Sequence, residues 1–479
     1  MPKMLVIADD LTGALDTAAQ FANQSVAVHV SISARCDLCD LFERFDVVSV
    51  NAGTRHEPAG TAARIVSELA LRGRAAGAEF FYKKTDSTLR GNLGGELDAL
   101  RIAVGRGRLA FAPASPMLGR TTVHGSQFVF GQPLYETDYA NDPRNPIRES
   151  SVPYLLAQQT QARVIVVTRG KVERARSHFF QNEAIYVFDS ETDSDLDNVA
   201  RCLARVGLLS AVAAPAALAR CFPHLLKLGR ELRLPKGLED FRATSGSRAL
   251  AAHRTEQALR PDRANGSGPA TAAARIVDRT LTPMLTVVGS VNKVSQRQAA
   301  YAAAHGFSSF PISPGLLLDR DERPSRETND LVSQVAASLA ANRPALLQTS
   351  RRAADVLAVI EAGAQASLGQ NQICECVNGN LARLVRRILD RAAVSALTVF
   401  GGDTLFAIAQ ACGWSGFYPL GELAPGVVYA ETEPGGPTRI IAKPGGFGSE
   451  DALLRIWKGI AGRALFELHP KPSRFEKRE

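Results

Sequence analysis

Two adjacent carboxylates, Asp9 and Asp10, follow the apolar run Met4 to Ala8 near the beginning of the sequence. The run is typical of a short buried strand, and residues 14–22 have helical spacing, with Thr12 as the expected N-cap. In a structural interpretation, one Asp caps the helix and the other is solvated. Because adjacent like charges repel unless a cation or a hydroxyl uses them, the pair favours a functional interpretation.

A denser group of polar residues lies in residues 82–97, YKKTDSTLRGNLGGEL, after another apolar run and before a helical stretch. It contains Lys83, Lys84, Asp86, Ser87, Thr88, Arg90 and Asn92. Cations suit a carboxylate, whereas Asp, Ser and Thr side chains suit hydroxyl groups. The group therefore predicts a binding site for a polyhydroxylated acid, with a solvated surface loop as the structural alternative.

Three turns in the second half of the chain share one form, in which an apolar strand leads through a glycine-containing turn into a helix. They are Gly289-Ser290, Gly401-Gly402-Asp403-Thr404 and Lys443-Pro444-Gly445-Gly446. Glycine lets backbone N–H groups approach an anion closely, and a helix N-terminus adds partial positive charge. Together the turns predict a phosphate site, although one such turn alone is more often structural. There is no Walker loop, and no GxGxxG follows an early strand.

Two further pairs, Arg55 with His56 and Arg120 with His124, follow predicted strands. A lone His at such a position is more often structural or solvated. The sequence has no Ser/His/Asp order, no HExxH and no convincing metal cluster, which argues against a hydrolase or a zinc enzyme. Cys36 and Cys39 have CxxC spacing without a second pair, which is a weak signal for zinc or redox chemistry.

The composition is that of a globular protein, since 45% of the 479 residues are hydrophobic and 22% are charged. No stretch of 18 uninterrupted apolar residues and no signal pattern occur, so no membrane partner is expected. Seven scattered cysteines argue against a disulfide framework and favour a cytoplasmic location. The net charge is +8 without a run of five cations, so no nucleic acid partner is expected.

The alternation of apolar runs and helical stretches predicts an α/β fold: two layered α/β domains, with mostly parallel sheets flanked by helices, facing each other across a cleft. The predicted domains are residues 1–235 and 283–465. An Ala-, Arg-, Ser- and Gly-rich linker, 236–282, is expected between them, and a charged tail, 466–479, after them. The expected strands are MLVIA, VAVHV, DVVSV, EFFYK, RLAFAPA, RVIVVT and AIYVF, then PMLTVVGS, PALLQTS, VSALTVFGGDT and RIIAKPGG.

Taken together, six stretches resemble the four-carbon acid sugar kinase family. They are IADDLTGALDTA, KKTDSTLRGN, FAPASPMLGRTTVHG with GQPLYETDYANDP behind it, VVGSVNKVSQRQ, FGGDT and AKPGGFG. They occur in the family's order and span nearly the whole chain. The resemblance implies that a sugar-acid-binding domain, 1–235, precedes a nucleotide-binding domain, 283–465, and that ATP and Mg²⁺ are used.

The resemblance also implies the binding residues. The sugar acid is expected at Asp9 or Asp10, Arg55, Lys84, Thr85, Asp86 and Ser87. ATP is expected at Ser290, Gly401, Gly402, Asp403, Thr404, Gly445 and Gly446. The positions of both groups agree with those that the residue types and spacing indicate, but only the resemblance names ATP.

The implied reaction is transfer of the γ-phosphoryl group of ATP to the terminal (4-) hydroxyl of an acid such as D-threonate or D-erythronate. Asp10 and Asp86 are both candidates for the catalytic aspartate that accepts the hydroxyl proton, and nothing in the sequence ranks them. Arg55, Lys84 and Arg90 are the expected clamps on the substrate carboxylate. Asp403 is expected to contact Mg²⁺ or the ribose, and other metal ligands are unassigned.

One stretch departs from the family's pattern. The family carries a GSxGLA-like turn late in the first domain, whereas this chain has AAPAALA, residues 213–219. A kinase for a 3-oxo-tetronate and a non-catalytic sensor of sugar acids or nucleotides are therefore alternatives. A nicotinamide-dependent dehydrogenase is a weaker one, because the Rossmann fingerprint is missing. The stereoisomer and the oligomeric state, including a homodimer, stay open.

Overall fold

The computed structural model describes residues 2–142, 145–228, 283–321, 323–433 and 439–462. The predicted linker, 236–282, and the predicted tail, 466–479, lie outside the described residues. Within these ranges, no helix combines enough length with enough apolar character to span a bilayer.

The first half of the chain alternates strands with helices, as its sequence rhythm predicts. The strands are β1 Met4–Ala8, β2 Val28–Ser31, β3 Val47–Asn51, β4 Phe80–Lys84, β5 Arg108–Phe111, β6 Arg120–Val123, β7 Ser126–Val129, β8 Gln132–Pro133, β9 Val164–Val167, β10 Ala184–Phe188 and β11 Ala211–Ala214. The α-helices are α1 Leu11–Ala22, α2 Leu38–Arg44, α3 Ala59–Ala75, α4 Leu93–Ala103, α5 Val152–Ala157, α6 Arg169–Arg174, α7 Asp193–Val206, α8 Ala216–Ala219 and α9 Phe222–Leu226. Short 3-10 helices span Pro116–Leu118, Leu134–Glu136, Asp138–Asn141 and Ser177–Phe180.

The second half repeats this alternation. Its strands are β12 Met284–Val288, β13 Ser308–Pro311, β14 Ala345–Gln348, β15 Ala396–Phe400, β16 Gly416–Ala424, β17 Val427–Glu433 and β18 Arg439–Lys443. Its helices are α10 Lys293–Ala304, α11 Pro314–Leu317, α12 Arg326–Ala340, α13 Ala353–Gln365, α14 Gln370–Leu389, α15 Gly402–Ala411 and α16 Ala452–Gly462.

Within the described residues, one fifteen-stranded sheet runs through both halves, in the order β13-β14-β12-β15-β18-β17-β16-β2-β3-β1-β4-β11-β5-β10-β9. Most neighbours are parallel, and strands such as β1 are buried along their whole length, as expected for a sheet covered by helices on both faces. The α/β prediction is confirmed with one difference: the two halves share a single sheet. They do so because β16 pairs antiparallel with β2.

The junction between the halves is a short ladder reinforced by side chains. Gly416 is in register with Ser31, and a Cβ on Gly416 would lie 2.6 Å from the Val30 carbonyl oxygen, so only glycine fits there. His29 Nε2 lies 2.6 Å from Glu433 Oε2. This hydrogen bond and those from neighbouring side chains outweigh burial and lower the pKa of Glu433 to about 2. The junction therefore combines main-chain pairing with a partly buried hydrogen bond between side chains.

Candidate functional site

Three neighbouring parallel strands bring the first group of candidate residues to one edge of the sheet. Ala8, the last residue of β1, is in register with Asn51 of β3 and with Lys84 of β4. The loops that follow these strand ends therefore meet, as ligand-binding loops do in open α/β sheets. They carry Asp9, Asp10, Arg55, Thr85, Asp86 and Ser87.

Arg55 pairs with both of the adjacent carboxylates. Its Nε and Nη2 lie 2.8 and 3.1 Å from the two carboxylate oxygens of Asp9, and its Nη1 lies 2.5 Å from Asp10 Oδ2. Burial alone would raise the pKa of Asp9, but the positive charges of Arg55, Lys83 and Lys84 hold it below its usual value. The guanidinium of Arg55 thus forms ion pairs with both carboxylates of the acidic pair.

Asp86 is bound from two sides. Arg90 donates from Nε and Nη2 to the two Asp86 oxygens, at 2.8 and 3.0 Å, and Thr88 donates its hydroxyl and its N–H. Arg55 Nη2 lies 3.8 Å from Asp86. Although burial acts in the opposite direction, Arg90 and Arg55 hold the pKa of Asp86 well below its usual range. Arg90 also reaches Asp142 at 3.1 Å.

Asp10 is the N-cap of α1, so the expectation that Thr12 caps this helix is wrong. Asp10 Oδ1 accepts a hydrogen bond from the Gly13 N–H at 2.7 Å. Thr12 lies within the first helical turn instead. In the structural interpretation of the acidic pair, the capping part is confirmed, but the other carboxylate is not solvated. Asp9 is only 3% exposed, because Arg55 holds it inside.

The two lysines of the polar group have different surroundings. Side chains alternate along a strand, so Lys83 and Lys84 leave β4 on opposite faces. Lys83 forms a buried ion pair with Glu96 of α4, at 2.9 Å, and is thereby tied to the interior. Lys84 Nζ instead lies beside the start of α1, where a Cβ on Gly13 would be 2.8 Å from it and 2.6 Å from Asp10 Oδ1. Lys84 is therefore the lysine of the candidate site.

Thr85 and Ser87 complete the cluster, Thr85 beside β11 and Ser87 beside β7. The Thr85 N–H donates to the Ala214 carbonyl at 3.1 Å, which places the AAPAALA turn, residues 213–219, against the cluster. The Thr85 hydroxyl is buried and has no hydrogen-bond partner in the described part of the chain. The Ser87 carbonyl accepts from Gln127 Nε2 at 3.0 Å. A buried hydroxyl of this kind suits a polar ligand atom.

The three glycine turns of the second half also meet at the carboxyl ends of neighbouring parallel strands. Strands β12, β15 and β18 are parallel neighbours, and Phe400 at the end of β15 is in register with Val288 and Lys443. The turns that follow are in contact. A Cβ on Gly445 would lie 2.1 Å from Ser290 Oγ, and a Cβ on Gly289 would lie 2.1 Å from Thr404 Oγ1.

The two groups of candidate residues approach each other at the N-termini of α1 and α15. A Cβ on Gly402 would lie 2.6 Å from Thr12 Oγ1 and 3.4 Å from Asp10 Oδ2. Beside this contact, His56 Nε2 lies 3.7 Å from Asp403 Oδ2. Each helix directs the partial positive charge of its N-terminus toward this region, which favours an anion there.

Family models match both halves of the chain. One is described as a sugar-binding N-terminal domain and matches residues 4–221; the other is described as a nucleotide-binding C-terminal domain and matches residues 285–453. A D-threonate kinase of Salmonella typhimurium is 29% identical over 94% of this chain and 96% of its own. A D-erythronate kinase of Heliobacterium modesticaldum is 28% identical, over 98% and 100%. A 3-oxo-tetronate kinase of Burkholderia multivorans is 27% identical, over 97% and 98%. The chain belongs to the four-carbon acid sugar kinase family.

Solved structures agree with this membership at the level of the fold. A protein from Salmonella typhimurium LT2 superimposes with a TM-score of 0.70 at 21% identity, covering 95% of this chain and 99% of its own. A Haemophilus influenzae protein gives a TM-score of 0.62 at 19% identity, covering 96% and 99%. At such identities the likeness establishes the α/β architecture of this chain and nothing about its site.

The geometry adds two residues to the candidate site that the sequence motifs did not indicate. Asn378 of α14 accepts a hydrogen bond from Thr404 Oγ1 at 3.1 Å, and Ser295 of α10 donates to the Gly445 carbonyl at 2.6 Å. Ser295 lies within the quoted motif VVGSVNKVSQRQ and could have been found there. Asn378 lies on a helix without a local signal, so only the fold reveals it.

Lys443 is a buried cation at the end of β18. It is 1% exposed, its Nζ donates to the Pro444 carbonyl at 2.9 Å, and it lies 4.6 Å from the centre of the Phe400 ring. Burial lowers the pKa of Lys443 to about 7, because the charged form is poorly solvated there.

The contact between two glycine turns predicts the effect of a single methyl group. In Gly445→Ala, the new Cβ would displace Ser290 Oγ and separate the turns, so we expect nucleotide affinity to fall roughly 10-fold or more. Isothermal titration with ATP and with ADP measures this. Gly60→Ala is the matched control, because a Cβ at that position meets nothing within 4 Å. Equal affinity in wild type and Gly445→Ala would contradict the prediction.

Lys443 predicts a specific dependence of stability on pH. Folding depresses its pKa from 10.5 to about 7, so between these values the unfolded chain binds the proton that the folded chain has released. Lys443 therefore makes the free energy of unfolding of the wild type increase as pH rises from about 7 toward 10.5. Below about pH 7 both states carry the proton, and Lys443 contributes no such increase. In Lys443→Met the gain should disappear, as measured by urea unfolding at pH 6, 7.5 and 9. Lys458→Met, at an exposed position, controls for the lost charge; parallel pH curves for wild type and Lys443→Met would refute the assignment.

Proposed function

We propose that this chain is an ATP-dependent kinase that phosphorylates the terminal (4-) hydroxyl of a four-carbon sugar acid, D-threonate or D-erythronate. One observation carries the proposal: Gly402, in the turn that opens α15, lies against Asp10 and Thr12 at the start of α1. A sugar acid held by the first cluster and a nucleotide held by the glycine turns would meet at this contact. Relatives named D-threonate and D-erythronate kinase support the substrate class.

The charges of the first cluster suit such an acid. Arg55, Lys84 and Arg90 supply positive charge for the substrate carboxylate, and the two guanidinium groups can bind it in a bidentate manner. Because Arg55 and Arg90 already contact Asp9 and Asp86, the acid would share these donors with the protein carboxylates. The hydroxyl groups of the acid would donate to the remaining lone pairs of the same carboxylates.

We assign proton acceptance to Asp10 rather than to Asp86. Arg90 donates hydrogen bonds to both carboxylate oxygens of Asp86 and holds its pKa well below the usual range, so Asp86 is a weak base. Asp10 lies beside Gly402, where the two ligands would meet. In the proposed step, the substrate hydroxyl oxygen attacks the γ-phosphorus while its proton passes to Asp10. The bond between the γ-phosphorus and the bridging oxygen breaks, and ADP leaves.

Asp403 is our candidate for holding Mg²⁺ with the nucleotide. Its side chain is 53% exposed beside the glycine turn, and Mg²⁺ at phosphate sites commonly takes one or two carboxylates together with phosphate oxygens and water. In the described residues no group of three His, Cys, Asp or Glu side chains is placed to hold a metal, so phosphate would supply ligands. When held by Asp403 and the nucleotide, the ion would supply positive charge that offsets the negative charge of the phosphate groups.

A 3-oxo-tetronate is the second candidate substrate. The turn at 213–219 lies beside Thr85 and has alanines where the family pattern has a Gly and a Ser. A 3-oxo acid has one hydroxyl fewer and so needs fewer polar partners. A relative of this name is 27% identical.

We further propose a cytoplasmic location, since all seven cysteines are free thiols. We also propose a homodimer, which a mass measurement in solution would test.

The proposal predicts which acids are phosphorylated. With ATP and Mg²⁺, we expect ADP release with D-threonate or D-erythronate and formation of the 4-phosphate, and no more than background with the L isomers. The same coupled assay includes 3-oxo-tetronate, whose preferential turnover would make it the substrate. If every acid fails while ATP still binds, the proposed substrates are wrong and the sensor alternative is favoured over the kinase.

The assignment of the base predicts different effects at the two aspartates. Asn caps helices about as well as Asp, so Asp10→Asn should keep α1 intact while kcat falls about 100-fold or more. Asp86→Asn should mainly raise the KM for the sugar acid, because it releases Arg90. Steady-state kinetics of both variants measure this. A kcat of Asp10→Asn near the wild-type value would remove Asp10 from the role.

A further inference from the structure

Arg120, the first residue of β6, is a buried cation whose partners in the described chain carry no negative charge. It is 2% exposed, and paired main-chain hydrogen bonds to Ser115, at 2.8 and 3.1 Å, fix its backbone. Its guanidinium donates from Nη2 to Tyr139 OH at 3.0 Å and from Nη1 to the Leu118 carbonyl. Its Nε is buried without a hydrogen-bond partner there. Burying a cation without a negatively charged partner lowers the free energy of unfolding, which indicates that Arg120 has a role beyond packing.

Two aromatic rings lie beside this guanidinium, and one of them belongs to the other half of the chain. The Arg120 Cζ lies 4.5 Å from the centre of the Phe447 ring and 5.4 Å from that of Phe130. Phe130 follows β7 in the first half and is 77% exposed. Phe447 comes directly after Gly445 and Gly446 in the third glycine turn. Arg120 is therefore a contact from the sugar-acid half to the turn of the nucleotide half.

Tyr139 extends this contact to the acid-binding cluster. Its ring centre lies 5.4 Å from the Arg90 guanidinium carbon, and its hydroxyl would lie 3.6 Å from a Cβ on Gly446. Arg90 in turn holds Asp86 through two hydrogen bonds. A continuous chain of contacts thus leads from the glycine turn through Arg120 and Tyr139 to the cluster that would hold the acid.

We infer that Arg120 is a positioning residue for phosphoryl transfer: it fixes the Gly445-Gly446 turn against the sugar-acid loop, so that the γ-phosphoryl group and the terminal hydroxyl are held in line. The inference rests on the proposed kinase function. In-line transfer depends on placement, and a misplacement of about 1 Å can lower a rate about 100-fold. A planar guanidinium can stack on a ring with its face while it donates hydrogen bonds from its edge, which an ammonium group cannot do.

The test is a double-mutant cycle with Arg120→Met and Phe447→Leu. Each single variant should lower kcat about 10-fold or more, while the KM values for ATP and for the acid stay within about threefold. Because both changes break the same contact, the double variant should be no slower than the slower single variant. Independent effects, in which the two losses in kcat multiply, would overturn the inference.

Phe130→Leu is the matched control. It removes the second ring beside the same guanidinium without touching the glycine turn, so its kcat should stay near the wild-type value. Arg120→Lys retains the charge but loses the planar guanidinium, so its kcat should be lowered as much as that of Arg120→Met. Full activity of Arg120→Lys, or an equal loss in Phe130→Leu and Phe447→Leu, would show that charge or local packing matters instead.

Circular dichroism and thermal unfolding of each variant identify any loss of folding. If Arg120→Met does not fold, Phe447→Leu and Arg120→Lys still decide the question, because both are expected to lose kcat. The failure of the inference is distinct from that of the proposed function. A wild type that phosphorylates no acid refutes the kinase and the positioning role together, whereas an active wild type with unchanged kcat in Phe447→Leu refutes the positioning role alone.

Discussion

The pairing of Arg55 with Asp9 and Asp10 is the interaction on which the site depends. Two adjacent carboxylates at a buried strand end would repel each other, and the guanidinium removes this conflict by contacting both. With its charge balanced, Asp10 can cap α1 and fix the direction in which that helix starts. The start of α1 then lies against Gly402. The two ion pairs of Arg55 at the end of β1 thus fix where the two halves of the site meet.

The same network indicates how a ligand would be accommodated. Arg55 and Arg90 are held by protein carboxylates, so they are positioned before an acid arrives and need little reordering on binding. The atoms that lack partners in the described chain lie where a ligand or a second domain could use them: the Thr85 hydroxyl beside Lys84 and the Arg120 Nε near the third glycine turn. Side chains that are already hydrogen-bonded within the protein hold the site in position. Buried polar atoms without hydrogen-bond partners in the described residues are the better candidates for contacts that form when a ligand binds.

Much of this arrangement could be predicted from sequence because its signals are local. Apolar runs gave strands such as β1 and β4, and the polar residues after them lie at one edge. Other features depend on distant partners: β11, with only small residues, has a weak strand signal, and the β2–β16 pairing joins segments nearly 400 residues apart. The N-cap was misplaced at Thr12 because two neighbouring acids competed for it. Strand alternation predicts that Lys83 and Lys84 leave β4 on opposite faces, but only the ion pair between Lys83 and Glu96 shows which of them is turned away from the site.

The shared sheet also limits how the two halves can move. Separating them as rigid bodies would break the β2–β16 hydrogen bonds and the contact between His29 and Glu433, both of which lie away from the glycine turns. Movements that open or close the site must therefore occur mainly in the loops at the strand ends, where Phe447 contacts Arg120. In such a molecule the sheet determines the approximate distance between acid and nucleotide. A few side chains in the loops then determine the positions of the reacting groups to within about 1 Å. Because phosphoryl transfer is sensitive to displacements of this size, residues at this contact should affect turnover more than binding.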